Sequence, residues 1–299
     1  MPLPQSFPKS SPKSFNKPSS TRTPPSPRSE APSRPRVLIV YGSSRGTTQQ
    51  IAETIVDGLE EGGAEAASIR VERLALAPGR LAKADVIGIG SPTYFLREPR
   101  YMTEFLEEMP SLEGKRAFVF CTAGMDRPGE TLERLHAGLV ARGATVVGAR
   151  WFRSTMSYWV HMKRGLGNPA GLPDAEQLDR ARSWGEHLAA AATLGAVEPA
   201  PVSRATRWKA RLVHDPTIRK RFFPAPALHV PPCTGYGQCL SRCLFEGIVR
   251  VDDGEIPVFD LDHCVQCLEC VSSCPRGAIT PDSRVKEWIS TLSYRLGIH

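Results

Sequence analysis

Seven of the eight cysteines of this 299-residue chain lie between positions 233 and 274. Two residues separate Cys264 from Cys267 and Cys267 from Cys270; three more lead to Cys274, which Pro275 follows. An odd number of cysteines at two- and three-residue gaps is a poor disulfide framework and a good ligand set. Two intervening residues let successive thiolates turn inward onto one small inorganic centre. A triplet followed by Cys-Pro is the run that holds iron–sulfur clusters. Zinc is the alternative, but a zinc ribbon needs two separated Cys pairs, or Cys pairs with His. Cys121 stands apart at the end of an apolar run and reads as a small buried hydrophobe.

Upstream, Cys233, Cys239 and Cys243 follow the same template with Tyr236 in place of the second cysteine and Leu244 in place of the proline. The whole block resembles a bacterial two-cluster ferredoxin domain, strongest in the second run and its continuation Pro275-Arg276-Gly277-Ala278-Ile279. In that pattern the fourth cysteine of each run ligates the other cluster. The resemblance therefore implies one complete [4Fe–4S] cluster on Cys243, Cys264, Cys267 and Cys270, and a second site with only Cys233, Cys239 and Cys274. Three thiolates suit a [3Fe–4S] cluster; a labile [4Fe–4S] cluster with one other ligand and an empty site are the alternatives. Cluster type and charge set the potential, so the two centres are expected to differ.

A second group of polar residues follows the apolar run 37–41. Gly42-Ser43-Ser44-Arg45-Gly46-Thr47-Thr48 opens a helical stretch, and such a loop suits an anion. Gly46 lets backbone N–H groups converge, the helix N-terminus adds its positive end, and Ser43, Ser44, Thr47 and Thr48 can each donate to a phosphate oxygen. No Gly-Lys-Ser/Thr follows, which excludes a Walker loop, and the dinucleotide G-x-G-x-x-G is absent. A plain helix N-cap is the simpler reading of the loop alone. Two other runs end in comparable groups: Pro92-Thr93-Tyr94-Phe95 after 86–91, and Thr122-Ala123-Gly124 after 117–121. Together the three loops offer backbone polar groups, hydroxyls and two aromatic rings, which a flat ring system with a phosphate tail requires.

The stretch 37–48 resembles the opening of flavodoxin-like proteins, whose phosphate loop reads Ser/Thr-x-Ser/Thr-Gly-x-Thr; Ser43, Gly46 and Thr48 match it, and Arg45 replaces the usual hydroxyl. The resemblance implies FMN, with Tyr94 or Phe95 beside the isoalloxazine and Thr122–Gly124 as the third loop. Arg45 either pairs with the phosphate or marks a weakened site.

These loops need a scaffold, and strand-like runs at 37–41, 67–71, 86–90, 117–121 and 145–148 supply it, with helix-period stretches near 47–60, 100–108, 129–142 and 174–192. The central runs are apolar at nearly every position, as in strands covered on both faces. Alternation of strand and helix implies an α/β fold with a doubly wound five-stranded parallel sheet, and the resemblance of the loops implies that it is flavodoxin-like. The expected organisation is a disordered basic tail at 1–35, with ten prolines and nine serines; an FMN-binding domain at 36–195; a linker at 196–227; a small α+β ferredoxin domain at 228–281; and a C-terminal helix within 282–299. The linker's basic cluster, with Trp208 and Phe222-Phe223, reads as a short helix and an extended segment that dock on the second domain, with a partner or membrane-surface site as the alternative.

The net charge of +7 resides mostly in the tail: residues 1–36 hold seven Lys/Arg against Glu30, leaving 31 basic and 30 acidic residues elsewhere. A near-neutral folded part gives no reason to expect a nucleic-acid partner. No run of about 18 apolar residues provides a transmembrane segment. The N-terminus lacks an apolar leader core, so a reducing cytoplasm is the expected setting. No catalytic constellation stands out, and His161 and His229 are assigned no role. The expected function is electron transfer between FMN and the clusters, with an unidentified redox partner protein. A flavin-dependent reductase of a small acceptor such as a quinone, and a regulatory module that has lost FMN, are the alternatives.

Overall fold

The computed structural model describes residues 34–74, 79–191, 193–250, 256–295 and 297. The tail expected at 1–35 lies outside them apart from Arg34 and Pro35. The chain runs β1 (Arg36–Tyr41), α1 (Thr47–Glu61), β2 (Glu65–Arg70), α2 (Val71–Leu74), α3 (Gly79–Lys83), β3 (Val86–Pro92), α4 (Arg100–Glu108), β4 (Arg116–Ala123), α5 (Thr131–Ala141), β5 (Thr145–Arg153), α6 (Trp159–Lys163) and α7 (Ala175–Leu188). The five strands form one parallel sheet in the order β2-β1-β3-β4-β5.

Alternate residues of the central strands serve two core layers. Ile39, Phe118 and Phe120 pack with Ile51, Ile55 and Leu59 of α1 and Trp184 and Leu188 of α7. Leu38, Val40, Ile87, Ile89 and Val119 pack with Met102 and Leu106 of α4 and Leu135 and Leu139 of α5. Each such side chain stabilises the fold by about 1.5–3 kcal/mol on burial, which is why the strands are apolar on both faces. On one face α1 and α7 nearly touch: a Cβ on Gly58 would lie 2.0 Å from the Arg182 carbonyl oxygen, and one on Gly185 2.4 Å from that of Ile55.

The stretch expected as a linker contains two helices, α8 (Arg204–His214) and α9 (Pro216–Phe222). Ser203 caps α8 by accepting from Thr206 N, and Asp215 caps α9 by accepting from Thr217 N and Ile218 N, with Pro216 in the first turn. Arg207 pairs with Glu133 of the sheet domain, and Lys220 with Asp262 of the cysteine domain, so the two helices span both.

The cysteine domain contains β6 (Pro226–Leu228), α10 (Gln238–Arg242), β7 (Ile248–Arg250), β8 (Pro257–Phe259), α11 (Glu269–Ser273) and β9 (Ile279–Pro281), followed by α12 (Arg284–Arg295). It is an internal repeat. The elements β6, α10 and β7 recur as β8, α11 and β9 at one constant interval, the same that takes Cys233 to Cys264, Cys239 to Cys270 and Cys243 to Cys274. The halves interlock: β6 pairs antiparallel with β9, and β7 with β8. Even the unusual backbone repeats. Gly235, Gly237 and Glu246 have φ of 68°, 80° and 54°, and their counterparts Gln266, Leu268 and Gly277 have 58°, 59° and 62°. Left-handed conformation at the non-glycine residues is costly and persists only where the surroundings over-determine it.

Candidate functional site

The carboxyl ends of β1, β3 and β4 bring the three expected loops to one edge of the sheet, the position where ligands bind in doubly wound folds. Gly46, at φ 86°, makes the left-handed turn into α1. Ser43 Oγ accepts from the backbone N–H groups of Gly46 (3.1 Å) and Gln49 (3.4 Å), so these donors converge on one oxygen. The hydroxyls of Ser44 and Tyr94 are 2.5 Å apart, and those of Thr48 and Thr122 are 2.9 Å apart. These bonds join the first loop to the second and third. Tyr94 is buried, and burial together with the nearby Cys267 pushes its phenol pKa up, so it stays neutral.

Beside the loops lies a pocket. Thr93, Tyr94, Phe95 and Gly124 line it; Pro92, Thr122, Ala123 and the 43–48 loop are not among its lining residues. Leu96, Met125, Arg127, Met156, Ser157, Tyr158, His161 and Cys267 complete the wall. The mixture of aromatic, aliphatic and thioether groups suits a flat ring system, and the Gly-hydroxyl loop at the start of α1 suits its phosphate. The wall residues from 125 to 161 carry no local motif. Burial pushes the His161 imidazole down to about 4, and its Nε2 lies 3.4 Å from the Ser290 carbonyl oxygen. It is neutral at pH 7.

The cysteines divide into the two sets implied by the ferredoxin resemblance. Cys243, Cys264, Cys267 and Cys270 line one cavity among Pro226, Phe245, Ile248 and Phe259. Cys233, Cys239 and Cys274 line another, with Tyr236. Every cysteine is unbridged. Among the described residues no three His, Cys, Asp or Glu side chains converge on a point that would hold a single metal ion. Four thiols on one wall and three on the other are the donor type that iron–sulfur clusters take. Burial pushes the thiols of Cys264, Cys267 and Cys270 up, so a cationic core is needed to hold them as thiolates. Tyr236 occupies the register of Cys267, yet its ring is 74% exposed. The backbone at the incomplete site keeps the ligand-bearing shape; only the sulfur is missing.

Cys267 lines both the sheet-edge cavity and the four-cysteine cavity. Contacts between the domains hold it there. Arg45 Nε donates to the Glu269 carboxylate at 2.5 Å and its Nη2 to Ser272 Oγ at 2.6 Å. The guanidinium expected at a phosphate is thus engaged across the domain boundary, because a buried carboxylate and a hydroxyl match its fork. Phe245 packs edge-on to Tyr94 at 5.3 Å and to Tyr101 at 6.0 Å. Leu268 joins an apolar cluster with Met156, Tyr158 and Val160. The C-terminal helix α12 completes the clasp: Ser290 Oγ donates to Tyr158 Oη, and Arg164 donates to the Glu287 carbonyl and Thr291 hydroxyl.

The 2-1-3-4-5 sheet with its loops at the switch point defines a flavodoxin-type fold, here joined to a cysteine-rich module built as an internal repeat. Residues 38–142 match the family model of a flavodoxin domain, and residues 257–280 that of a 4Fe–4S binding domain. The chain is 31% identical over 193 residues, 51% of its own length and 91% of the relative's, to an NAD(P)H dehydrogenase (quinone) of Paracoccus denitrificans. Over 48 residues, 16% of this chain and 14% of the relative, it is 42% identical to one component of the Na(+)-translocating ferredoxin:NAD(+) oxidoreductase complex of Acetobacterium woodii. A flavodoxin from the domain Archaea superposes on 52% of this chain and 97% of its own, with TM-score 0.41 and 22% identity. The chain belongs to the flavodoxin-like family and carries a 4Fe–4S domain in the same polypeptide. Its role is flavin- and iron–sulfur-based electron transfer. No helix among the described residues is long and apolar enough to cross a membrane.

Proposed function

We propose that the protein is an electron carrier in which FMN, held at the sheet edge, exchanges single electrons with a [4Fe–4S] cluster on Cys243, Cys264, Cys267 and Cys270, and through it with a second centre on Cys233, Cys239 and Cys274. When bound, the flavin supplies one- or two-electron chemistry and the clusters one-electron chemistry. The observation that carries this reading is Cys267, which is shared by the walls of both cavities. A residue common to both walls supports a short distance between the two centres, and the covalent link would raise the effective concentration of each for the other.

The residues have separate tasks. The loop from Ser43 to Thr48 would receive the phosphate through its hydroxyls, with Ser43 ordering it by accepting from the Gly46 and Gln49 N–H groups and Thr48 tying it to Thr122. Thr93, Tyr94, Phe95 and Gly124 orient the ring, with Pro92, Thr122 and Ala123 shaping the loops behind them. Tyr158, Met156 and Leu268 exclude water between flavin and cluster. Arg45 holds the cysteine domain against the flavin loops.

Anaerobically purified protein is expected to contain flavin, iron and acid-labile sulfide together, and flavin reduced by a flash is expected to pass an electron to the cluster within the molecule. Flavin-free protein, or transfer whose rate depends on protein concentration, would overturn the proposal. Electron paramagnetic resonance of the oxidised protein identifies the second centre, because an oxidised three-iron cluster is paramagnetic and an oxidised four-iron cluster of this type is silent.

A second reading, a flavin-dependent reductase of a small acceptor, draws support from the Paracoccus relative, an NAD(P)H dehydrogenase (quinone), and from Met156, Ser157 and Tyr158 in the cavity wall. Sustained turnover of a soluble quinone with NADH or NADPH would favour it; exchange with protein carriers alone favours the carrier.

A further inference from the structure

We propose that Arg219 is a positioning and tuning residue for the four-cysteine cluster, its buried guanidinium supplying a fixed positive charge and a free Nε donor for an inorganic sulfide, and raising that cluster's reduction potential. The proposal rests on the assignment of a [4Fe–4S] cluster to Cys243, Cys264, Cys267 and Cys270.

Arg219 is the buried cation of α9. Its Nε lies out of contact with water and has no hydrogen-bond partner, and no carboxylate forms an ion pair with it among the described residues. A guanidinium so placed is expensive unless an anion meets it. Two anionic groups are near. Asp215 uses its Oδ1 to cap α9, accepting from Thr217 N and Ile218 N. The other is Cys264, which lines the four-cysteine cavity two residues beyond Asp262, the ion-pair partner of Lys220 next to Arg219. Burial lowers the arginine's pKa, and the charges of Cys264 and Asp215 offset that effect, Cys264 the more strongly.

The fold holds α9 against this loop at several points. Lys220 pairs with Asp262, Asp260 O accepts from Cys264 N at 2.8 Å, and Phe223 packs edge-on to Phe95 at 5.6 Å. The neighbouring cations Lys220 and Arg221 are exposed, so Arg219 alone in this helix places its charge in a low-dielectric setting. Reduction adds one electron from the external reductant to the cluster, with no bond made or broken, and a fixed positive charge favours the reduced form. Net charge and hydrogen bonds to sulfur are among the factors that set cluster potentials.

The test is an anaerobic dithionite titration of the holoprotein, followed by electron paramagnetic resonance. Arg219→Met is expected to lower the equilibrium constant for reducing the four-cysteine cluster by about tenfold or more, which is about 59 mV for one electron. The three-cysteine centre in the same sample and the exposed-cation variant Lys220→Gln are expected to stay within about twofold of wild type. Arg219→Lys, which keeps the charge, is expected to recover part of the shift. An unchanged potential in Arg219→Met with full iron content overturns the proposal. If that variant does not load, Arg219→Gln against Arg219→Lys decides: a lower potential for Gln supports the role, and equal potentials overturn it. Failure of all three to load while flavin is retained marks the residue as structural and also overturns it. Absence of the four-iron signal in wild type would instead overturn the cluster assignment.

Discussion

The Arg45 guanidinium and the Glu269 carboxylate meet at 2.5 Å, tying the loop that opens α1 to the first residue of α11, two positions beyond Cys267. The glutamate side chain is only 9% exposed and the arginine 29%. An exposed pair contributes about 0–1 kcal/mol, whereas stranding one partner of a buried pair costs about 3–5 kcal/mol. This pair lies between those limits. Arg45→Gln, which strands the carboxylate, is expected to destabilise the holoprotein by about 1–3 kcal/mol, and Arg45→Gln with Glu269→Gln by less than the two single changes combined. Denaturant unfolding of all four proteins checks this; additive effects would show that the two residues are not coupled.

Cys267→Ser is expected to abolish the four-iron signal and leave the three-cysteine centre, while Cys239→Ser does the reverse. The two cavities share no cysteine, so each change strikes one centre. Iron and sulfide content with electron paramagnetic resonance of both variants distinguishes the centres. Loss of both signals from either substitution would refute the partition.

Tyr236→Cys is expected to convert the incomplete site into a second four-iron site. The backbone around Tyr236 repeats that around Cys267, with left-handed residues on either side of each: Gly235 and Gly237 in one half, Gln266 and Leu268 in the other. A thiol there needs no new loop. The expected result is about one additional iron per molecule and loss of the oxidised three-iron signal. Unchanged iron content would count against the reading.

Acid should loosen the clasp between the domains. His214 Nε2 lies 3.0 Å from the Phe95 carbonyl oxygen, and burial, with Arg97 and Arg219 nearby, pushes its pKa down to about 4. The unfolded chain therefore binds more protons than the folded one between the ordinary imidazole pKa of about 6.5 and 4, and stability falls as pH drops through that window. The full effect at this site is about 3 kcal/mol. His214→Gln is expected to flatten the slope of unfolding free energy between about pH 6.5 and 5. An unchanged slope would show that His214 does not carry it.

Gly46→Val is expected to cost about 1–2 kcal/mol and weaken flavin retention, because a β-branched residue resists the left-handed φ of 86° that aligns the loop donors. A Cβ there meets nothing within 4 Å, so strain rather than a clash is the cause. Flavin fluorescence after dilution measures retention; unaltered retention would dissociate the turn from phosphate binding.

Much of this was legible in the chain itself. Local chemistry pointed to cysteines with two and three intervening residues as candidate cluster ligands, to strands covered on both faces from continuous apolar runs such as 37–41 and 117–121, and to a Gly-hydroxyl loop before a helix. Each is encoded over a few consecutive residues, where spacing and period suffice. The edge strand β2 and the two helices of the 196–227 stretch were less legible, since short elements at a surface obey tertiary contacts more than propensity. Only the tertiary structure decided that Arg45 reaches Glu269, that Tyr158 and Met156 wall the sheet-edge cavity, and that Cys267 lines two cavities. Those relationships join residues from about thirty to more than two hundred positions apart, and no local pattern records them, because burial and charge pairing are settled by which surfaces the packed domains present to each other.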